Sequence, residues 1–296
     1  MFKFAITFPK NSQVITLLLF ILLYSCCNRF DGKNGIKTVC FSNTEKVQQI
    51  IEYKDGKKDG PLKEYYINGN LKVEQYYIND SLRDSSIFYH ENGQRNEIQF
   101  FKDDKKEGIW KKFNKEGNVY SELSFKDDML HGTSSTYTYR SGRLLKRLNY
   151  QNGRMKGRQE FYHNNGKPKS INYFYNGQPG SGTEEWYESG EMVDNDFKIL
   201  VQEQNKVLLE STLRYFITLE NSKPDDEVFL LSDNDTGHVI TTLMPLQKKN
   251  GNFIWEYTIA RGGFIMERLK LGAFRKTKMG NTFVKTITIN VSANNY

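Results

Sequence analysis

A repeat of roughly 24 residues constrains the fold of this chain more than any other feature. Glycines closing an aromatic segment fall at Gly69, Gly93, Gly117, Gly142, Gly166 and Gly190, spaced 24, 24, 25, 24 and 24. A second series opens the following strand at Gly60, Ser85, Gly108, Gly132, Gly157 and Gly182. Polar turn pairs keep the same step: Asp55-Gly56, Asn79-Asp80, Asp103-Asp104, Asp127-Asp128, Asn152-Gly153 and Asn176-Gly177. Aromatic residues accompany them at Tyr66, Tyr89, Phe113, Tyr139, Tyr162 and Tyr187. A period of this size marks stacked supersecondary units, none of which can bury a core alone.

Each unit reads as two strands. Asn-Gly and Asp-Gly supply the positive φ angles that two-residue hairpin turns require. The strands alternate polar and apolar residues, as in Ile98-Gln99-Phe100 and Leu123-Ser124-Phe125. Composition agrees: 14% of residues are aromatic and only 6 are proline, which suits short strands and tight turns. The expected fold class is all-β, an elongated antiparallel meander of about six hairpin repeats followed by a small β-sandwich-like domain.

The segments Trp110-Lys111-Lys112-Phe113-Asn114-Lys115-Glu116-Gly117, Phe161-Tyr162-His163-Asn164-Asn165-Gly166 and Trp186-Tyr187-Glu188-Ser189-Gly190 resemble the MORN-variant repeat (membrane occupation and recognition nexus). The resemblance covers residues 47–193. It departs from the pattern at Ser85, and at the irregular Pro179-Gly180-Ser181-Gly182 stretch. What it implies is architecture more than chemistry. Bacterial proteins with this repeat are often labelled antitoxin components, so the resemblance also implies an antitoxin or immunity role as an alternative.

Beyond residue 193 the rhythm changes. Candidate strands are 197–202, 207–219, 227–231, 238–243, 253–260, 264–270 and 283–291, longer and more aliphatic than those of the repeats. Seven strands in this length suggest an antiparallel sandwich of immunoglobulin-like type over residues 194–296. No Cys-Trp-Cys pattern accompanies it. Alternatively, the first of these strands continues the repeat sheet and caps it.

The N-terminus reads as an export signal over residues 1–25. Lys3 and Lys10 precede an apolar run from Val14 to Tyr24, too short for the roughly 20 residues that span a bilayer. The run ends Leu23-Tyr24-Ser25-Cys26, which resembles the lipobox of bacterial lipoproteins. That resemblance implies a diacylglycerol on Cys26, attachment to a membrane, and a place in the bacterial cell envelope facing the periplasm or the cell surface. Residues 26–46 then read as a polar tether. Cys27 and Cys40 are the other cysteines; they could pair in an oxidising compartment.

The net charge of +7 does not imply nucleic acid. Residues 1–46 carry +4 of it, and opposite charges are interleaved through the rest, whereas phosphate binding needs clustered Lys and Arg. Catalytic motifs are equally scarce. His90, His131, His163 and His238 lie in no metal-binding spacing, and no nucleophile elbow or phosphate loop occurs. Asp233-Asn234-Asp235-Thr236-Gly237 has alternating oxygen donors but lacks the closing glutamate of a calcium loop. The expectation is no catalytic residue, no metal and no cofactor.

Repeated aromatics remain. Tyr66, Tyr89, Trp110, Phe113, Tyr139, Tyr162, Trp186 and Tyr187 form the candidate binding surface, since a single-layer sheet leaves one face for a partner. The leading expectation is a non-catalytic binding and assembly scaffold with an unidentified protein partner. A glycan-binding module using exposed aromatics is an alternative. A hydrolase with a site near residues 186–200 is another.

Overall fold

The computed structural model describes residues 28–232, 238 and 240–296. The export segment, the lipidation candidate Cys26, Cys27 and the turn at 233–237 lie outside the described residues. The chain is nearly all β and divides into two compact units, Met1–Asp128 and Met129–Tyr296. Among the described residues the one helix is a single turn, Val207–Glu210.

In the first unit each strand pairs antiparallel with the next. Asn28–Phe30 meets Gly35–Cys40, which meets Val47–Lys54. Lys57–Tyr65, Leu71–Ile78, Ser81–Tyr89, Arg95–Lys102, Gly108–Phe113 and Val119–Lys126 follow in order. Pairing thus begins inside the stretch expected as a tether, because Ile36-Lys37-Thr38-Val39 alternates with β-branched residues. The expected turn pairs have positive φ at both residues, from Asp55 (52°) and Gly56 (80°) to Asp127 (48°) and Asp128 (66°). That is the type I′ geometry whose twist matches the strands it joins.

The register puts two kinds of row across these strands. One runs Ile50, Lys63, Glu74, Ile87, Ile98, Lys111, Glu122, with ion pairs Lys63–Glu74 at 3.2 Å and Lys111–Glu122 at 3.0 Å. The other face buries Ile51, Leu62, Val73 and Ser86. Among the described residues no second layer of this unit covers them, and cross-strand pairs worth about 0.2–1 kcal/mol each contribute to its stability.

The second unit opens with the same hairpins: Gly132–Tyr137 with Leu144–Gln151, then Gly157–Tyr162 with Pro168–Tyr175, then Glu184–Glu185 against Pro168–Tyr175. A sandwich follows. One sheet has the order Ile199–Lys206, Thr212–Leu219, Asn252–Thr258, Gln247–Lys249; the other has Thr242–Pro245, Glu227–Leu231, Phe264–Lys276, Thr282–Asn294. Lettered in chain order, these are A-B-E-D and C′-C-F-G, the strand order of an immunoglobulin-type sandwich. The first strand pairs within the sandwich, as the sandwich expectation requires. Leu213, Tyr215, Ile217 and Leu219 alternate inward and meet Val228, Leu269, Leu271, Ala273 and Val291 of the opposite sheet in one buried cluster.

Three strand expectations change. Residues 207–219 do not form one strand: Val207–Glu210 turns helically, Ser211 takes φ 55°, and the strand starts at Thr212. Thr242–Pro245 and Gln247–Lys249 replace a strand expected at 238–243. Finally, Phe264–Lys276 and Thr282–Asn294 are each 13 residues long. Residues 271–275 are covered on both faces, which erases the alternation that marks a strand in sequence.

Candidate functional site

The geometry of the hairpin ends fixes which residues are equivalent between repeats. Tyr66, His90, Asn114, Thr138, His163 and Tyr187 each accept, at the backbone carbonyl, the N–H of the turn glycine (Gly69, Gly93, Gly117, Gly142, Gly166 and Gly190). Each donates its own N–H across the turn, from Tyr66 to Asn70 O through Tyr187 to Glu191 O. The aromatic positions read as one phase are therefore three. Tyr66 and Tyr187 sit at the turn position; Tyr89, Phe113, Tyr162 and Trp186 lie one residue earlier. Tyr139 lies one residue beyond it, in a turn lengthened by one residue.

The turn position works as a strut between neighbouring hairpins. In the first unit the Tyr66 hydroxyl donates to Tyr89 O at 2.8 Å, and His90 Nε2 meets Phe113 O at 3.0 Å. In the second, His163 Nε2 meets Trp186 O at 2.8 Å. Two residues further on, Asn68, Asn92 and Asn165 donate side-chain amides to Glu91 O, Lys115 O and Glu188 O. Asn114 and Thr138 instead accept N–H groups of their own turns. The histidines are thus structural donors, which also sets their tautomer: Nε2 carries the proton.

Of the eight aromatics read as a binding surface, Tyr139 and Tyr187 are the most exposed, at 49% and 42%. The rest are half-buried. Tyr89 and Tyr162 reach Glu74 and Glu160 with their hydroxyls, and burial followed by the Glu74 charge raises the Tyr89 phenol above its ordinary value. Trp110 packs between Phe101 and Phe125, with Lys106 Nζ 4.9 Å from its ring centre.

Another column went unread in sequence. Tyr53, Tyr77, Phe101 and Phe125 recur every 24 residues at the end of the second strand and are half-buried on one face of the first unit. Lys58 lies over Tyr77 at 4.8 Å and Lys106 over Phe125 at 5.5 Å. On the opposite face Tyr76 and Phe100, also 24 apart, remain 43% and 41% exposed. Their shared period was the available signal.

Within the second unit, the last hairpin meets the sandwich through a buried carboxylate. Glu185 has no exposed surface. It accepts hydrogen bonds from Thr277 Oγ1 at 2.7 Å, Asn281 Nδ2 at 2.6 Å and Asn195 Nδ2 at 2.9 Å. Asn281 Oδ1 accepts from Asn172 at 3.2 Å, and Thr183 donates to Thr282 O at 2.8 Å. A cleft of about 370 Å³ lies beside this contact, between Gln178 and Pro179 of the hairpin and Glu227, Phe229, Phe274 and Lys276 of the sandwich. Asp226 and Arg275 stand behind it as a bidentate pair at 2.9 and 2.8 Å, with the guanidinium 4.0 Å over Phe197. Burial works to raise the Asp226 carboxyl, but the Arg275 hydrogen bonds and the Lys223 N–H outweigh it and leave the carboxyl lowered. The contact thus joins the last hairpin to the sandwich through Glu185, whose carboxylate is enclosed by donors.

Among the described residues no group of three or more His, Cys, Asp or Glu is placed to hold a metal ion. No helix there is long and apolar enough to cross a membrane.

The family model of the MORN repeat variant matches residues 58–79, 106–127 and 155–176. The first match starts in Lys57–Tyr65 and the others in the two-residue strands Lys105–Lys106 and Arg154–Met155 just before Gly108–Phe113 and Gly157–Tyr162; each ends in the polar turn after the hairpin. The chain is similar to that repeat in three hairpins, while the hairpins between them keep the same turn hydrogen bonds. No curated protein matches the chain at a significant level.

Proposed function

We propose that this protein is a membrane-anchored envelope lipoprotein that serves as a non-catalytic binding and assembly scaffold through its repeat sheet. The repeated pair of cross-hairpin hydrogen bonds, from the turn position and from the asparagine two residues on, carries this reading. Within each unit these bonds hold neighbouring hairpins at one spacing, so their side chains form rows with a fixed step. Such rows suit a long partner surface better than a small substrate. The similarity to MORN repeats supports a repeat-based binding role. The anchor rests on the sequence Leu23-Tyr24-Ser25-Cys26.

Exposed aromatics, Tyr76 and Phe100 at matching positions in the first unit and Tyr139 and Tyr187 at hairpin ends of the second, favour a second reading. In it the sheet stacks sugar rings on these side chains.

Cross-linking in intact cells, with the tagged protein recovered from the membrane fraction and its cross-links mapped, tests the first reading. The expected result is one reproducible partner linked to Lys111, Lys112 or Lys156, and loss of the protein from membranes on Cys26→Ser. Recovery of the protein uncross-linked would overturn the scaffold. Membrane retention of the Cys26→Ser protein would overturn the anchor.

A further inference from the structure

At one end of the sandwich three chain segments meet around Asn295, which is 7% exposed. Its side-chain amide donates to Ile259 O at 2.7 Å and to Ser211 Oγ at 3.2 Å. Its backbone N–H donates to Gly263 O, and its carbonyl accepts the Gly262 N–H. Ile259 N–H in turn donates to Ser211 O at 2.8 Å. This polar knot holds together the helical turn Val207–Glu210, the turn at 259–263 and the end of the last strand.

Four exposed large apolar side chains lie on the segments it joins or directly follow them, Leu208 and Leu209 on the helical turn and Phe264 and Met266 on the strand after Gly263. Leu208 is 72% exposed, Leu209 89%, Phe264 70% and Met266 78%. Their neighbours Val207 and Ile265 point into the core, so the backbone is well held while these four face solvent. Arg261, on the same turn, is exposed and forms no ion pair among the described residues, whereas Lys206 is already paired with Glu210 at 2.8 Å. Exposed apolar groups beside an unpaired cation match a surface that is fluid, apolar beneath and anionic on top.

We propose that this end of the sandwich is a membrane-contact tip. Leu208, Leu209, Phe264 and Met266 enter the acyl region of a bilayer, and Arg261 meets the phosphates of anionic headgroups. The tip is separate from the anchor at Cys26: it binds lipid by insertion, and it orients the second unit on the surface.

The test uses the full chain carrying Leu209→Trp, with the parent protein giving the baseline of Trp110, Trp186 and Trp255. Vesicles are phosphatidylcholine with phosphatidylglycerol, with or without brominated acyl chains. The introduced indole is expected to shift to the blue on vesicles and to be quenched by acyl bromine, in the Cys26→Ser background as well. Omitting phosphatidylglycerol or introducing Arg261→Glu should weaken the quenching. Leu208→Ser should reduce vesicle partitioning by about tenfold. Vesicle-bound protein whose introduced indole escapes quenching would overturn the tip while leaving the Cys26 anchor intact. A blue shift that follows protein concentration and ignores bromine would assign the patch to a second copy of the chain and would also overturn it.

Discussion

At the scale of single residues, the repeat tolerates a side chain where its backbone asks for glycine. The positive-φ position that Gly60, Gly108, Gly132 and Gly157 occupy is filled in the second hairpin by Asp84, at φ 58°. Sequence reading looked one residue on, to Ser85, because a small residue is the usual substitute; the backbone uses Asp, which enters the left-handed region more readily than most residues. Asp84→Val should therefore destabilise the first unit by about 1–2 kcal/mol, and Asp84→Gly should not, as thermal unfolding would show. A second residue-scale prediction concerns Asp226. Its folded-state carboxyl is lowered, so its stabilisation is complete above the ordinary carboxylate range and is lost as pH falls through the lowered value. Asp226→Asn should flatten the loss of stability below about pH 4 and cost about 3 kcal/mol at neutral pH, because Arg275 is left buried without its partner. A denaturant titration repeated across pH reads both effects.

At the scale of elements, the turn chemistry and the period were legible, because positive-φ Asn, Asp and Gly pairs leave few alternatives. The aromatic phase was not. Tyr65-Tyr66 and Trp186-Tyr187 are adjacent aromatics, and only the backbone hydrogen bonds of each turn tell which member faces the next hairpin. The sandwich strands were legible where one face is wet, as in Thr212–Leu219, and obscured where both faces are covered, as in residues 271–275. Within that element Tyr215 is buried against Glu203, and burial first, then the carboxylate, raises its phenol to about 12. Tyr257, half-buried and bonded to Glu267, is raised as well. A raised tyrosine contributes stability that is complete below its ordinary value near 10 and is lost as pH climbs toward the folded value. Tyrosinate absorbance should show Tyr215 and Tyr257 among the late-titrating groups, and Tyr215→Phe should remove one of them and soften the alkaline loss of stability.

At the scale of the molecule, the two units are held by different means. The first has buried apolar residues spread along a sheet, and the second has a packed cluster between two sheets. Hydrogen exchange should find the slowest amides in Thr212–Leu219 and in residues 269–273, and faster exchange across the first unit; uniform protection of both would contradict this. The buried Glu185 contact was not legible at all, because Thr277 and Asn281 are 92 and 96 residues away in the chain and nothing local marks them as its donors. Glu185→Leu strands three polar groups and should destabilise the second unit by about 3 kcal/mol. Glu185→Gln, which keeps one oxygen to accept from Thr277 and Asn281, should cost less.

The struts from the turn position have a consequence for how such a chain can change length. Tyr66, His90 and His163 each reach a carbonyl 23 residues ahead. At these joints a hairpin inserted or deleted whole leaves a donor facing an equivalent carbonyl, so growth by duplication keeps the joint intact, whereas Asn114 and Thr138 bond within their own turns. A strand lengthened by one or two residues moves the acceptor out of reach and turns the following side chains to the wrong face. Length in this architecture is counted in cassettes, and a partner that reads the rows can be matched by adding or removing one unit at a time.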